Sequence, residues 1–247
     1  MKKRYTYKMT IQYDGTNYYG WQFQIGAPSI QDMIQSKLCI ILNEPKKIQG
    51  AGRTDAGVHA LYQVAHFKYP NLLDIEVLQR SLNNLLPPDI RITKIEIADE
   101  KFNARFTAKW KEYAYYIYNG QLCPPFVYRY VWHYPYPLNL ELMQEAAKLF
   151  IGLHDFSLFG TGAMKRDDAV RSIDSLLIEK QGNMIIFRIH AISFLRHMVR
   201  WIVGTLVEVG ENKKDISVIP KLFEEKQYGL VKLKAPPNGL FLAYIEY

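Results

Sequence analysis

Hydrophobic and polar positions alternate cleanly near the start of the chain. Tyr5, Tyr7, Met9, Ile11 and Tyr13 share one face, and Thr6, Lys8, Thr10 and Gln12 share the other. A period of two is that of a half-buried strand, and Asp14-Gly15-Thr16-Asn17 ends it as a turn. Ser29 reads as the N-cap of a helix that carries Ile30, Met33, Ile34 and Leu38 at helical spacing. Asp32 in its first turn suits the helix dipole. A second helix starts near Asp74 and stops before Pro87-Pro88, since proline cannot continue a helix. A strand follows over Ile90–Ile97.

The second half begins near Phe106. Glu112–Tyr118 is strand-like, and Asn139 caps a helix expected to end at Gly152. Leu176–Glu179 and Met184–His190 flank Lys180-Gln181-Gly182-Asn183, the signature of a hairpin. An apolar helix is expected over residues 193–209, stopping at Gly210. The Ala235-Pro236-Pro237-Asn238-Gly239 turn leads into a last strand, Leu240–Tyr247. Each half mixes antiparallel strands with two main helices, without a linker, low-complexity tract or repeat. The pattern supports an α+β fold, divided near residue 104 into an N-terminal half, 1–104, and a C-terminal half, 105–247.

The bulk numbers refine this picture slightly. At 247 residues the chain accommodates one large or two small domains. Its 49% hydrophobic and 22% charged residues are ordinary for a globular protein. A net charge of +7 favours an anionic partner without separating RNA from DNA. Two cysteines, Cys39 and Cys123, make no disulfide framework, so a cytoplasmic location is expected. Met1-Lys2-Lys3-Arg4 resembles the basic start of a signal peptide, but no apolar segment follows it. The apolar helix near 193–209 carries Arg196, His197 and Arg200, which excludes a membrane span.

The chemistry concentrates in Gly50-Ala51-Gly52-Arg53-Thr54-Asp55-Ala56-Gly57-Val58-His59-Ala60. Three glycines around one arginine and one carboxylate describe a loop that a backbone or ligand can approach closely. A bare Thr-Asp-x-Gly is more often an ordinary turn. Arg53 and Asp55 are two residues apart, so an extended loop sends both side chains to one side. Arg200 sits on a mostly apolar helix and must find a partner or an exit to water.

Arg53-Thr54-Asp55-Ala56-Gly57-Val58-His59 resembles the catalytic loop of tRNA pseudouridine synthases of the TruA family. Other motifs follow in chain order. They are Tyr13-Asp14-Gly15-Thr16-Asn17-Tyr18-Tyr19-Gly20-Trp21-Gln22, Phe102-Asn103-Ala104-Arg105-Phe106, Tyr113-Ala114-Tyr115, His154-Asp155-Phe156, Met198-Val199-Arg200 and Gly239-Leu240-Phe241-Leu242. The resemblance implies two ferredoxin-like halves with joined antiparallel sheets and a central cleft. It implies isomerisation of uridine to pseudouridine at positions 38, 39 and 40 of the tRNA anticodon stem-loop, by a homodimer. Asp55 would be the catalytic nucleophile, Arg200 its cationic partner, and Tyr113 the ring stacked on an extruded uracil. Arg53 would hold a phosphate. Attack at C1′, attack at C6 and a glycal route all remain open for Asp55.

Two positions depart from the family pattern. Lys111-Glu112 stands where two basic residues are common, and Gly160 stands where a basic residue is expected. No cofactor is implied. The six histidines and two cysteines have no metal-ligand spacing, and no phosphate-binding glycine loop is present. His59 reads as a packed or capping residue. Two competing readings are a non-catalytic RNA-binding module and a glycosidase. The second commonly needs a pair of carboxylates, and only Asp55 is convincing.

Overall fold

The computed structural model describes residues 4–163, 168–224 and 229–247. Met1-Lys2-Lys3 of the basic start lie outside the described residues. The fold is α+β, as expected. Among the described residues it has ten strands, mostly antiparallel, and five α-helices. The chain forms two compact units, Met1–Lys109 with Leu242–Tyr247, and Trp110–Phe241.

The first unit runs β1 (Tyr5–Tyr13), α1 (Ile30–Leu42), β2 (Gln49–Gly50), β3 (His59–Tyr69), α2 (Ile75–Leu85) and β4 (Ile90–Ala98). Its strand order is β4-β1-β3, with β2 beside β3, and Leu242–Glu246 of β10 (Leu240–Glu246) as β3's other neighbour. β1 is central, and the alternation seen in sequence is only part of its pattern. Thr6 and Thr10, on its polar face, are buried along with Tyr7, Met9 and Ile11. α1 is capped as its sequence predicts, and α2 starts where expected, with Asp74 as its cap. Ser29 Oγ accepts the Asp32 N–H at 3.3 Å, and Asp74 Oδ1 accepts the Val77 N–H at 3.0 Å. α2 buries Leu78 and Leu82, and Leu86 leaves it in extended geometry at ψ 146°, the conformation proline imposes on its predecessor.

The second unit runs β5 (Trp110–Tyr118), β6 (Trp132–His133), α3 (Leu140–Lys148), β7 (Gly152–Asp155), β8 (Val170–Gln181), β9 (Met184–Ala191), α4 (Met198–Gly210) and α5 (Val218–Glu224). Its sheet order is β5-β9-β8-β7, with β6 parallel to β5. The predicted hairpin is present, with Gln181 paired to Met184 across Gly182-Asn183.

Two helix boundaries differ from expectation. α3 ends at Lys148 rather than Gly152, because the N–H groups of Leu149, Phe150 and Ile151 bond carbonyls three residues back and tighten the last turn. Gly152, at φ 105°, is the exit that opens β7. α4 starts at Met198 rather than 193, because His197 has φ 66° and cannot belong to a right-handed helix. β3 and α5 went unanticipated.

Two of the sequence motifs are structural corners. Asn103 Oδ1 accepts the N–H groups of Arg105 and Phe106, at 3.0 and 3.1 Å. Asp155 Oδ1 accepts the Ser157 N–H at 2.9 Å beside the fully buried Phe156. The Phe102–Phe106 corner is fastened to β3 through His66, whose Nδ1 accepts the Ala104 N–H at 3.2 Å. Burial lowers the His66 pKa below its usual 6.5; Lys68 adds to this, and a backbone hydrogen bond with Gln49 opposes it.

A depressed histidine pKa contributes stability above the unfolded value that is lost as pH falls through the folded one. The urea midpoint is therefore expected to drop as pH is lowered from above about 6.5. His66→Gln should flatten that dependence, and an unchanged slope in the variant would assign it to another group.

Candidate active site

β2 runs antiparallel to β3, with Gln49 opposite His66 and Gly50 opposite Ala65. Residues 51–58 must therefore reverse the chain between them. They do so in two steps. Residues 51–54 leave the sheet, held by the Ala51 N–H to Val64 carbonyl bond at 2.8 Å. A tight turn over Asp55–Val58 follows, closed by the Val58 N–H to Asp55 carbonyl bond at 3.1 Å, with Gly57 at φ 74°. Positive φ at the third residue is the type II geometry that selects glycine. Exposure alternates through the loop: Arg53 is exposed, Thr54 buried and Asp55 half-buried. Arg53 and Asp55 thus flank a side chain that points inward, as the sequence spacing predicts.

The Tyr13–Gln22 motif is the cradle for this loop. Trp21 N–H donates to the Thr54 carbonyl at 3.1 Å, and Gly57 N–H donates to the Tyr18 carbonyl at 3.2 Å. A Cβ at residue 15 would lie 2.0 Å from the Val58 carbonyl oxygen, and one at residue 20 would lie 2.4 Å from that of Thr54. Both glycines therefore permit a backbone-to-backbone approach that no side chain allows. His59 is buried at 1% exposure, with Nδ1 3.0 Å from the Gly15 N–H, so it fastens the cradle to the loop as a packed residue.

Beneath the loop lie three neutral polar side chains. Tyr13 Oη is 2.8 Å from Thr54 Oγ1. Gln63 Nε2 donates to the Gly52 carbonyl at 3.0 Å, and Gln63 Oε1 accepts the Val64 N–H at 3.2 Å. Burial pushes the Tyr13 hydroxyl pKa above its usual range, so it stays protonated. Gln63 was not found by sequence reasoning, because nothing in the sequence marked residues 59–69 as a strand.

Tyr113 and Arg200 lie in the second unit. Tyr113 is on β5 opposite Ile189, nearly buried, with its ring edge-on to Phe194 at 5.0 Å. Tyr115, two residues along the same face, is fully buried and donates to the Pro236 carbonyl at 2.8 Å. Burial holds the Tyr115 hydroxyl well above its usual pKa, against a smaller opposing effect of Arg200. Arg200 is 8% exposed on α4. Its Nε donates to the Ala235 carbonyl at 2.7 Å, and the Ala235 N–H donates back to the Arg200 carbonyl at 3.0 Å. The guanidinium is therefore built into the unit rather than solvated. At the first departure from the family pattern, Glu112 pairs with Arg188 of β9 at 3.1 Å.

A family model described as tRNA pseudouridine synthase matches residues 9–107 and 146–247. The tRNA pseudouridine synthase A of Thermodesulfovibrio yellowstonii is 43% identical over 251 residues, covering 97% of this chain and 98% of its own. The chain belongs to the tRNA pseudouridine synthase family. The tRNA pseudouridine synthase A 1 of Protochlamydia amoebophila is 43% identical over 245 residues, covering 98% of this chain and 96% of its own. That of Thermoanaerobacter sp. is 41% identical over 239 residues, covering 97% and 98%. Membership makes the protein an isomerase with a tRNA substrate, in place of the RNA-binding module and the glycosidase. Among the described residues no group of three or more His, Cys, Asp or Glu could hold a metal ion, and no helix is long and apolar enough to cross a membrane.

The close approach at Gly20 can be tested against an internal control. Gly26 also has positive φ, at 77°, but open space around its Cα. Gly26→Ala is expected to cost about 1–2 kcal/mol of stability and leave turnover intact. Gly20→Ala meets the Thr54 carbonyl as well, so it should destabilise further and lower the rate of tritium release from uracil C5 of tRNA. Equal effects of the two substitutions would refute the cradle.

Proposed function

We propose that the protein isomerises uridine to pseudouridine at positions 38, 39 and 40 of the tRNA anticodon stem-loop, with Asp55 as its catalytic carboxylate. The observation that carries this is the loop itself: a half-buried carboxylate beside an exposed arginine, on a backbone clamped from two sides, in the segment that matches the family's catalytic motif. The reaction breaks the bond from ribose C1′ to uracil N1 and makes one from C1′ to C5. The C5 proton leaves and N1 gains one, so the product is an isomer and no redox partner is consumed. An ionised carboxylate serves each of the three routes, as nucleophile at C1′, as nucleophile at C6, or as the base of a glycal path.

Each remaining residue has a defined part. The carboxylate must stay ionised among RNA phosphates, whose charge raises its pKa. Arg200 is the cation assigned to oppose that rise, and its burial makes its charge effective. Tyr113 stacks on the extruded uracil, since a base still in its helix is out of reach. Arg53 binds a phosphate next to the target nucleotide. The active form is a cytoplasmic homodimer, and the net charge of +7 suits its polyanionic substrate.

The test uses unmodified tRNA and maps each uridine after reaction. Asp55→Asn should abolish conversion, by at least about 10³-fold, while tRNA still binds. Arg200→Met should slow conversion by about 10²-fold. Substantial activity of Asp55→Asn, or modification confined to uridines outside the anticodon arm, would overturn the reading.

Tyr113→Ala should impair turnover far more than tRNA affinity, because a stack worth about 1–3 kcal/mol is made only by the flipped base. Equal losses in kcat and in binding, measured by single-turnover kinetics and filter binding, would remove the stacking role.

A further inference from the structure

The Asp55 loop is supported by side chains that never reach its surface. Tyr13, at the end of β1, is 4% exposed, Thr54 7% and Gln63 0%. A hydroxyl or amide placed this deep is costly unless it is hydrogen-bonded, and an apolar trio of similar size would pack there without that constraint. The strand register explains how the three meet. Ile11 stands opposite Gln63, and Tyr13 stands opposite Ala60. Two residues of β1 thus span three of β3, an irregularity that gathers an extra residue into β3 beside the loop. Gln63 lies on the Ile11 face of the sheet, which is also the Tyr13 face, so the two polar ends converge under residues 52–54.

Their bonds fall on both sides of Arg53. Gln63 Nε2 holds the carbonyl of Gly52, and Tyr13 Oη holds the hydroxyl of Thr54. The Trp21 N–H holds the Thr54 carbonyl from the opposite side of the loop. The peptide units that aim Arg53 and Asp55 are therefore bound at fixed points to two strands. Rotation of the 54–55 peptide would break the Trp21 bond, and displacement of Thr54 would pull its Oγ1 off Tyr13.

We infer that Tyr13 and Gln63, acting through Gly52 and Thr54, are positioning residues that set the orientation of Asp55 for the isomerisation. The inference rests on the assignment of Asp55 as the catalytic carboxylate. The network contacts no substrate. It preorganises the carboxylate, and a displacement of about 1 Å at a reacting group can cost about 10²-fold in rate.

The experiment compares Tyr13→Phe, Gln63→Met, Thr54→Val and Thr54→Ser with the native enzyme and Asp55→Asn. Turnover is expressed per tRNA-binding molecule, and thermal melts are recorded in parallel. Tyr13→Phe, Gln63→Met and Thr54→Val should each lower kcat by about tenfold or more, with KM for tRNA within about twofold. Thr54→Ser keeps the hydroxyl and should restore kcat to near the native value. Native kcat in Tyr13→Phe and Thr54→Val, with Asp55→Asn inactive, would overturn the network's role and leave the Asp55 assignment standing. A loss of activity that merely follows the loss of folded protein, with Thr54→Ser no better than Thr54→Val, would also overturn it. An active Asp55→Asn would remove the Asp55 assignment and this inference together.

Discussion

The backbone of residues 54–58 occupies the space where side chains of residues 15 and 20 would stand. That exclusion organises the first unit around its carboxylate. With carbonyl oxygens 2.0 and 2.4 Å from the ideal Cβ positions, any residue larger than glycine forces one of two backbones to move. Because the cradle continues directly from β1 into α1, a shift there would be felt at Trp21, Ser29 and the capped start of the helix. The loop is thus as rigid as the strand and helix that flank its support. A side chain held on such a scaffold keeps its orientation with little reorganisation.

The second unit solves a different problem, the burial of a cation. An unpaired guanidinium in an apolar setting is unfavourable by several kcal/mol. α4 is apolar almost throughout, with Ile202, Val203, Leu206 and Val207 all buried, so its neighbours on the helix offer Arg200 nothing. The carbonyl of Ala235 supplies an acceptor at Nε, and the reciprocal Ala235 N–H bond fastens the same segment to the helix backbone. Because a guanidinium is planar, fixing Nε also fixes the directions of its terminal amino groups. The helix begins at His197 in a left-handed conformation, one turn before Arg200, so the sequence commits strain as well as hydrogen bonds to where this helix starts.

How much of this could be read beforehand follows from how local each signal is. The caps at Ser29 and Asn139 and the helix start near Asp74 depend on a few adjacent residues and were legible. So was β1, whose alternation is uninterrupted. β3 was not, although it is the longest strand of its unit. Its buried positions include Gln63 and His66, which bond Gly52 and Ala104, residues outside the strand. An alternation rule treats such residues as exposed. Phe194 and Leu195 extend the apolar pattern of α4 backwards, but the positive φ of His197 ends the helix after them. At the site, Arg53 and Asp55 share one short motif and were found together. Gln63, some ten residues further on and on another strand, carries no local mark of its part beneath them.

The composition of the support bears on the chemistry. Tyr13, Thr54 and Gln63 are neutral, Tyr18 and Trp21 hold the loop through backbone groups, and burial keeps the Tyr13 hydroxyl protonated. These groups orient the loop through dipoles and contribute no formal charge of their own. Had the supporting side chains been lysine or arginine, one interaction would both position Asp55 and set its charge, and neither could vary without the other. Here the two tasks are separable. Orientation belongs to the sheet and cradle of the first unit, and in the proposed function the charge balance is left to cations. Arg53 on the same loop and the guanidinium of Arg200 are the groups proposed for it. In the proposed function a polyanionic substrate makes this division useful, because each phosphate brought near the loop raises the carboxylate pKa, and a cation held apart from the loop can counter it without disturbing the aim.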